Sequence, residues 1–258
     1  MSGLTRIFVA SEPEPGEAFD LPAEDARHLG TVLRAKPGDE FEIVTASGRV
    51  CVARFGDRGT AVVVAAFAGA FGPARRVVLY QAVPKGKRME VVVEKAVEVG
   101  VDGIVPLLTE RSVVRPGEGA KLDRWRRIAE SAARQSLRRG IPQILEPTSF
   151  TKAVRGAGSG VILHNAPELP FLEEVLGSAG GDVSLFVGPE GGFTDGELQL
   201  ASEAGIAAAQ MGPFRLRSET AGLVAVVRAR AVIELAGSGV SGTTIGASDE
   251  DYIAEGRG

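Results

Sequence analysis

Residues 184–198, SLFVGPEGGFTDGEL, hold the densest concentration of groups suited to ligand chemistry. An apolar run ends at Gly188, and Pro189, Gly191 and Gly192 leave backbone amides uncovered by side chains. A helix start follows, with Thr194 at the N-cap position and Glu197 three residues on, the spacing of a capping box. In open α/β sheets ligands sit beyond the carboxyl ends of strands, and glycines let them approach the backbone. Taken alone, this loop reads equally well as a structural turn. A second stretch, MGPFRLRSETAG at 211–222, carries Arg215 and Arg217 ahead of Ser218, which opens a long apolar helix. Glu219 in the first turn also suits the helix macrodipole, and either arginine could be a solvated loop charge. A third stretch is LHNAPE at 163–168, where His164 alone would more often pack or cap than catalyse. Three successive strand-to-helix crossings with polar, Gly/Pro-rich ends can converge on one pocket. Convergence is what favours a functional reading.

Other chemistries are excluded. His28, His164 and Cys51 are the only histidines and cysteine, which makes no metal constellation. The glycine-rich loop is neither GxGxxG nor a Walker sequence, and no G-x-S-x-G nucleophile elbow is present.

The elements that must position these loops fall into two grammars. Residues 1–72 read as short strands: one from Arg6 to Ala10, a hairpin over DEFEIVTASGRVCVARF turning at Ser47–Gly48, and a run from Thr60 to Ala65. A short amphipathic helix is expected over Ala23–Leu33, with Ala26, Leu29 and Leu33 on one face. This is a small β-barrel or sandwich, with a linker near 68–74. From residue 75 apolar strands alternate with helices: RRVVLYQAV, KRMEVVVEKAVEVGV, GIVPLLT, a helix DRWRRIAESAARQSLRR ending at Gly140, QILEP, GVILHNA, LPFLEEVLG, VSLFVG, TDGELQLASEAG, AAAQMG and SETAGLVAVVRARAVIELAG. Such alternation predicts an α/β domain over 73–237, a parallel sheet with helices on both faces. The Gly/Ser-rich and then acidic stretch 238–258 is expected to be disordered.

The chain has 258 residues, is 44% hydrophobic and carries one cysteine. That composition excludes a disulfide framework and suits a reducing cytosol. No apolar run approaches a membrane span, and the start lacks the features of a signal peptide. A soluble, cytoplasmic protein is expected. Charge is segregated: residues 1–74 carry −3, 75–155 carry +8 and 156–258 carry −9 within the overall −4. A basic middle third suggests a face for an anionic partner, or simply solvated helix faces.

LFVGPEGGFTDGEL followed by MGPFRLRSETAG resembles the 16S ribosomal RNA (uracil-N3)-methyltransferase family, ribosomal small subunit methyltransferase E, in the SPOUT superfamily. The similarity continues through RHLGTVLRAKPGDEF, KGKRMEVVVEKAVEVGVDGIVPLLTERSVV and RWRRIAESAARQSLRRGIPQI. The resemblance implies a PUA-like RNA-binding β-barrel over 1–72. It also implies a SPOUT-type parallel sheet tied in a trefoil knot, a homodimer through the knotted domain, S-adenosylmethionine as cofactor and 16S rRNA in the assembled small ribosomal subunit as partner. Matching positions place cofactor contacts at Leu163 and His164. A second set is Val187, Gly188, Pro189, Glu190, Gly191 and Gly192, and a third is Met211, Gly212, Pro213, Leu216, Arg217, Glu219 and Thr220. RNA-facing positions fall on Arg6, His28, Arg34 and Arg138. Near the last of these the commoner family form reads QSGRNR where this chain reads QSLRRG, with Leu137 in place of a glycine.

Methyl transfer to uracil N3 needs the imide proton removed and the nitrogen held in line with the methyl. An arginine beside the carbonyl oxygens stabilises the resulting anion. Arg217 is expected in that role, with Arg6 as a second cation, from the same chain or from the partner subunit's N-terminal domain, and Glu219 either orients Arg217 or acts as base. A side chain at Gly188 is expected to enter the cofactor's space. Three alternatives remain open at this point: another RNA acceptor, a non-catalytic RNA-binding or ribosome-assembly protein, and a nucleotide-phosphate enzyme. The last is disfavoured because no P-loop lysine follows the glycines.

Overall fold

The computed structural model describes residues 5–67, 75–112, 120–177 and 180–237. The expected linker at 68–74 and the tail at 238–258 lie outside the described residues. The first sheet is built from β1 (Arg6–Phe8), β2 (Ala18–Asp20), β3 (Glu40–Val44), β4 (Val50–Phe55) and β5 (Thr60–Ala66), in the order β1-β3-β4-β5-β2. β1 pairs parallel with β3 and the remaining ladders are antiparallel. No ladder joins β1 to β2 among the described residues, so the sheet is a half-barrel. The hairpin turns as expected: Val44 faces Val50, the Thr45 amide donates to the Arg49 carbonyl at 2.9 Å, and Gly48 takes φ +84°. Alternate residues point inward, and Ile7, Phe41, Ile43, Cys51, Ala53 and Val63 form its core with Leu21 and Leu29.

The helix expected over Ala23–Leu33 is shorter and changes type. α1 spans Ala23–Arg27, and His28–Val32 forms a π-turn in which the Leu33 amide donates to the His28 carbonyl at 3.0 Å. Gly30 in that stretch disfavours a regular helix. The widened turn leaves Leu33 47% exposed rather than on the inner face.

The second sheet is parallel throughout. Its strands are β6 (Val77–Ala82), β7 (Gly103–Leu108), β8 (Gln143–Ile144), β9 (Thr148–Ser149), β10 (Gly160–Leu163), β11 (Val183–Val187) and β12 (Ala207–Ala209). Their order is β12-β10-β11-β6-β7-β8, with β9 also beside β7. α2 (Arg88–Glu98), α3 (Ala120–Gln135), α5 (Leu172–Gly177) and α7 (Ser218–Gly237) contribute to the core on one face, and α4 (Phe150–Gly156) and α6 (Asp195–Glu203) to that on the other. A sheet covered on both faces needs apolar residues of both parities. In β11, Val183, Leu185 and Val187 join the α2/α3/α7 core while Phe186 joins the α4/α6 core. Phe186 stacks on Tyr80 with centroids 4.5 Å apart. Because every ladder is parallel, every strand delivers its following loop to the same edge.

α3 stops at Gln135, short of the expected Gly140. The Arg138 amide donates to the Ala133 carbonyl (2.9 Å) and the Leu137 amide to the Arg134 carbonyl (3.4 Å), a Schellman-type stop. That stop needs a left-handed residue, and Leu137 supplies it at φ +55°. A branched-chain side chain costs about 1–2 kcal/mol there, and glycine returns part of the gain as unfolded-state entropy. Leu137 is half exposed, so its side chain packs little. Leu137→Gly should therefore stabilise the protein by about 0.5–1 kcal/mol in urea unfolding. A loss of stability would contradict this account of the helix end.

Candidate functional site

The loops after β10, β11 and β12 surround a cavity of about 530 Å³. Leu163 and His164 line it from the first loop. Val187, Gly188, Pro189, Glu190, Gly191 and Gly192 line it from the second, and Met211, Gly212, Leu216 and Arg217 from the third. Of the expected cofactor positions, only Pro213, Glu219 and Thr220 are off the wall.

Each loop is pinned by its own neighbours. In the first, the His164 amide donates to the Ala209 carbonyl at 3.0 Å, which fixes it against β12. In the second, Phe193 packs on Phe150 with ring centroids 5.3 Å apart. Arg111 donates to the carbonyls of Gly191 (2.8 Å) and Phe193 (3.3 Å). The capping box forms as the spacing predicts, since Thr194 Oγ1 accepts from the Glu197 amide and Glu197 accepts from the Thr194 amide. Glu197 Oε1 also accepts from the Glu110 amide at 2.9 Å. In the third, Arg228 donates to the Met211 carbonyl at 2.7 Å while paired with Glu173 of α5. Gly212 takes φ +118°, where side chains are strained.

One relay joins the second and third loops. Ser218 Oγ donates to the Gly188 carbonyl at 2.6 Å and accepts from Gln81 Nε2 at 2.9 Å. Gln81 is fully buried, and α7 passes it so closely that a Cβ on Gly222 would lie 2.2 Å from Gln81 Oε1. A second tie is ionic. Arg88 lies between Glu190 of the second loop (3.4 Å) and Glu219 at the start of α7 (3.6 Å).

Several expectations change on this geometry. Glu219 pairs with Arg88 rather than with Arg217, and its Oε2 is buried with no hydrogen-bond partner among the described residues. A Cβ on Gly188 would meet the ring of Phe193, itself on the cavity wall, at 3.1 Å, so the glycine also serves close packing within the loop. Arg217 is exposed on the cavity wall with no side-chain hydrogen bond or ion pair among the described residues. Arg6 is not on the wall of its own chain's pocket. Its Nε and Nη2 donate to Glu42 (2.9 and 2.5 Å), and Nη1 donates to the Arg138 carbonyl (3.2 Å) and to that of Leu137. Arg138 is occupied as well, donating to the carbonyls of Val97 (3.1 Å) and Val101 (2.8 Å) and to Asp102 (3.1 Å). Burial pushes the Arg138 guanidinium below its ordinary range, with Asp102 opposing and Arg230 reinforcing the shift. His28 and Arg34 are exposed on the half-barrel, Arg34 at φ +57°.

Part of the basic middle third is used internally: Arg88, Lys95, Arg124, Arg126, Arg134 and Arg138 are ion-paired. Arg88, Arg111, Gln81 and Gly222 were not singled out from sequence, because each acts through a partner distant in the chain. Gly222→Ala should cost about 1–3 kcal/mol by overpacking against an immobile Gln81, read from thermal or urea unfolding. An unchanged melting curve would mean that α7 does not sit as described.

A model of the RNA methyltransferase domain matches residues 72–230, and one of the RNA methyltransferase PUA domain matches residues 21–64. The chain is 32% identical over 233 residues to the ribosomal RNA small subunit methyltransferase E of Mycobacterium bovis, covering 85% of this chain and 88% of that one. Among solved structures, that of the Neisseria gonorrhoeae ribosomal RNA small subunit methyltransferase E bound to S-adenosyl methionine superposes with a TM-score of 0.77. It is 29% identical, with 89% of this chain and 98% of that chain covered. A methyltransferase from Legionella pneumophila in complex with S-adenosylmethionine also superposes with a TM-score of 0.77, at 30% identity and covering 90% and 98%.

Proposed function

The chain belongs to the ribosomal RNA small subunit methyltransferase E family, and on that premise we propose that it methylates N3 of a uridine in 16S rRNA using S-adenosylmethionine. The observation that carries this reading is Arg217, an unpaired cation on the wall of a pocket made by three glycine-bearing loops. The lining fits the cofactor. Leu163, Val187, Ala209 and Leu216 offer apolar wall, while Gly188, Gly191, Gly192 and Gly212 leave backbone uncovered. No group of residues able to hold a metal ion is present among the described residues. S-adenosylmethionine bound there would supply the methyl group from its sulfonium, with the neutral thioether as leaving group.

The chain's own work is positioning and electrostatics. Uracil N3 must pass its proton to water at the open mouth of the pocket before it is alkylated, and the charge left behind spreads onto the two flanking carbonyl oxygens. The Arg217 guanidinium stabilises that anion, and the bound cofactor and base would cover it from water, where a fixed donor is worth most. The acceptor must be unpaired or flipped, because N3 is engaged in a Watson–Crick pair. His28 and Arg34, with the PUA-like half-barrel, grip the RNA. Lys85 and Lys87, exposed in the turn after β6, meet phosphates near the pocket, where the Lys85 amide lies 3.5 Å from Glu190.

In this reading the three loops belong to a trefoil knot, the chain pairs as a homodimer through that domain, and the substrate is the assembled small subunit in the cytoplasm. No helix of the described residues is long and apolar enough to cross a membrane. Arg217→Ala should keep cofactor affinity by calorimetry and lower methylation of small subunits by at least about 100-fold, the scale of losing one anion-stabilising donor. Unchanged turnover in that variant would remove Arg217 from the mechanism.

A further inference from the structure

Arg6 and Arg138 look from sequence like cations for RNA, yet the structure uses both internally, at the end of the molecule opposite the pocket. The pocket opens at the carboxyl edge of the sheet. Asp102, which precedes β7, marks the amino edge, where its carboxylate accepts from the Val77 amide (2.8 Å), Arg138 and Arg230. α3 runs back to that amino edge and ends there. β6 has six residues, so roughly 20 Å of strand at ~3.3 Å per residue separates the two edges.

The half-barrel attaches at this far edge through two charged contacts. In the first, Arg6 of β1 is held by Glu42 of β3 and points its remaining donors at the Leu137 and Arg138 carbonyls, just beyond the end of α3. A cation is favoured there because the end of the helix carries unsatisfied carbonyls and the negative pole of the dipole. In the second, Arg134 of α3 donates to Asp25 of α1, a residue only 5% exposed, and also to Glu130 (2.7 Å). The Arg6 side chain is itself only 9% exposed. Nε, both Nη1 donors and one Nη2 donor are engaged within the protein, which leaves little of the group for a phosphate.

We infer that Glu42–Arg6 and Asp25–Arg134 form a lock that fixes the angle of the half-barrel on the catalytic domain, and that Arg6 is a positioning residue. The lock decides where the RNA-facing surface with His28 and Arg34 points relative to the pocket. This inference rests on the proposed function only for its catalytic consequence. The rigidity itself can be read without turnover.

The two roles predict opposite effects for Glu42. If Arg6 touched RNA, removing the neighbouring negative charge would leave RNA binding unchanged or tighten it, since a carboxylate repels phosphate. If Arg6 holds the lock, neutralising Glu42 frees it and weakens productive binding. The test uses the full chain, with Arg6→Ala, Glu42→Gln and Asp25→Asn compared by small-angle scattering and by methylation kinetics on small subunits. All three variants should show a broader domain distribution. Their KM for subunits should rise by roughly tenfold, about 1.4 kcal/mol, with cofactor affinity unchanged. Any variant that does not melt cooperatively is set aside, and the remaining pair decides. Scattering identical to wild type for Glu42→Gln and Asp25→Asn, or tighter RNA binding by Glu42→Gln, would overturn the lock. Absence of methylation by the wild-type protein would count against the proposed function alone, because the scattering result stands without it.

Discussion

A single buried hydroxyl holds the pocket together. Ser218 Oγ donates to the Gly188 carbonyl and accepts from Gln81, so the last helix can begin only against the end of β11. Everything the third loop presents follows from that anchor. Residues 211–217 must span from β12 at the sheet edge to a helix start beneath the central strands, which draws Met211, Gly212, Leu216 and Arg217 across the mouth of the first two loops. The relay works only because Gly222 lets α7 pass against Gln81, leaving Gln81 Oε1 facing a helix backbone instead of a donor. A buried polar network is costly when half satisfied, and here it specifies one position for the helix.

Several arginines in this protein serve architecture. The arginines of the basic middle third fasten helix ends and loops: Arg88 bridges two carboxylates at the pocket, Arg111 clips the glycine-rich loop, and Arg138 with Arg230 closes on Asp102. Arg217 stands apart because its side chain has no hydrogen bond or ion pair among the described residues, whereas Arg111 and Arg215 on the same wall donate to loop carbonyls. A guanidinium left unengaged on a concave wall is the group placed to meet an anion.

Much of the fold was legible because burial on both faces of a parallel sheet produces uninterrupted apolar runs such as VSLFV, and amphipathic helices separate them. The capping box at Thr194 and Glu197 is local, and the structure contains it as read. What escaped was short or depended on distant partners. β2 is three residues at a sheet edge, and α4 is seven residues with only Ser149 as a cap. The π-turn after α1 and the left-handed Leu137 follow from how each segment meets its surroundings, not from periodicity. The same division holds for the site. Loop positions around Gly188 and Met211 were identified because glycine, proline and polar residues end three strands in a row. Side-chain pairs were not legible: Arg6 meets Glu42, Glu219 meets Arg88, and neither pairing leaves a mark on local sequence.

The central claim is that three loops and one unpaired arginine place a methyl group on a uridine of the small subunit. The most direct measurement offers the purified protein labelled S-adenosylmethionine and small subunits lacking this modification, then analyses the RNA as nucleosides. The account predicts label in 3-methyluridine, at one site and in near-stoichiometric amount. Label in any other nucleoside, or tight cofactor binding with no label in RNA, would contradict it.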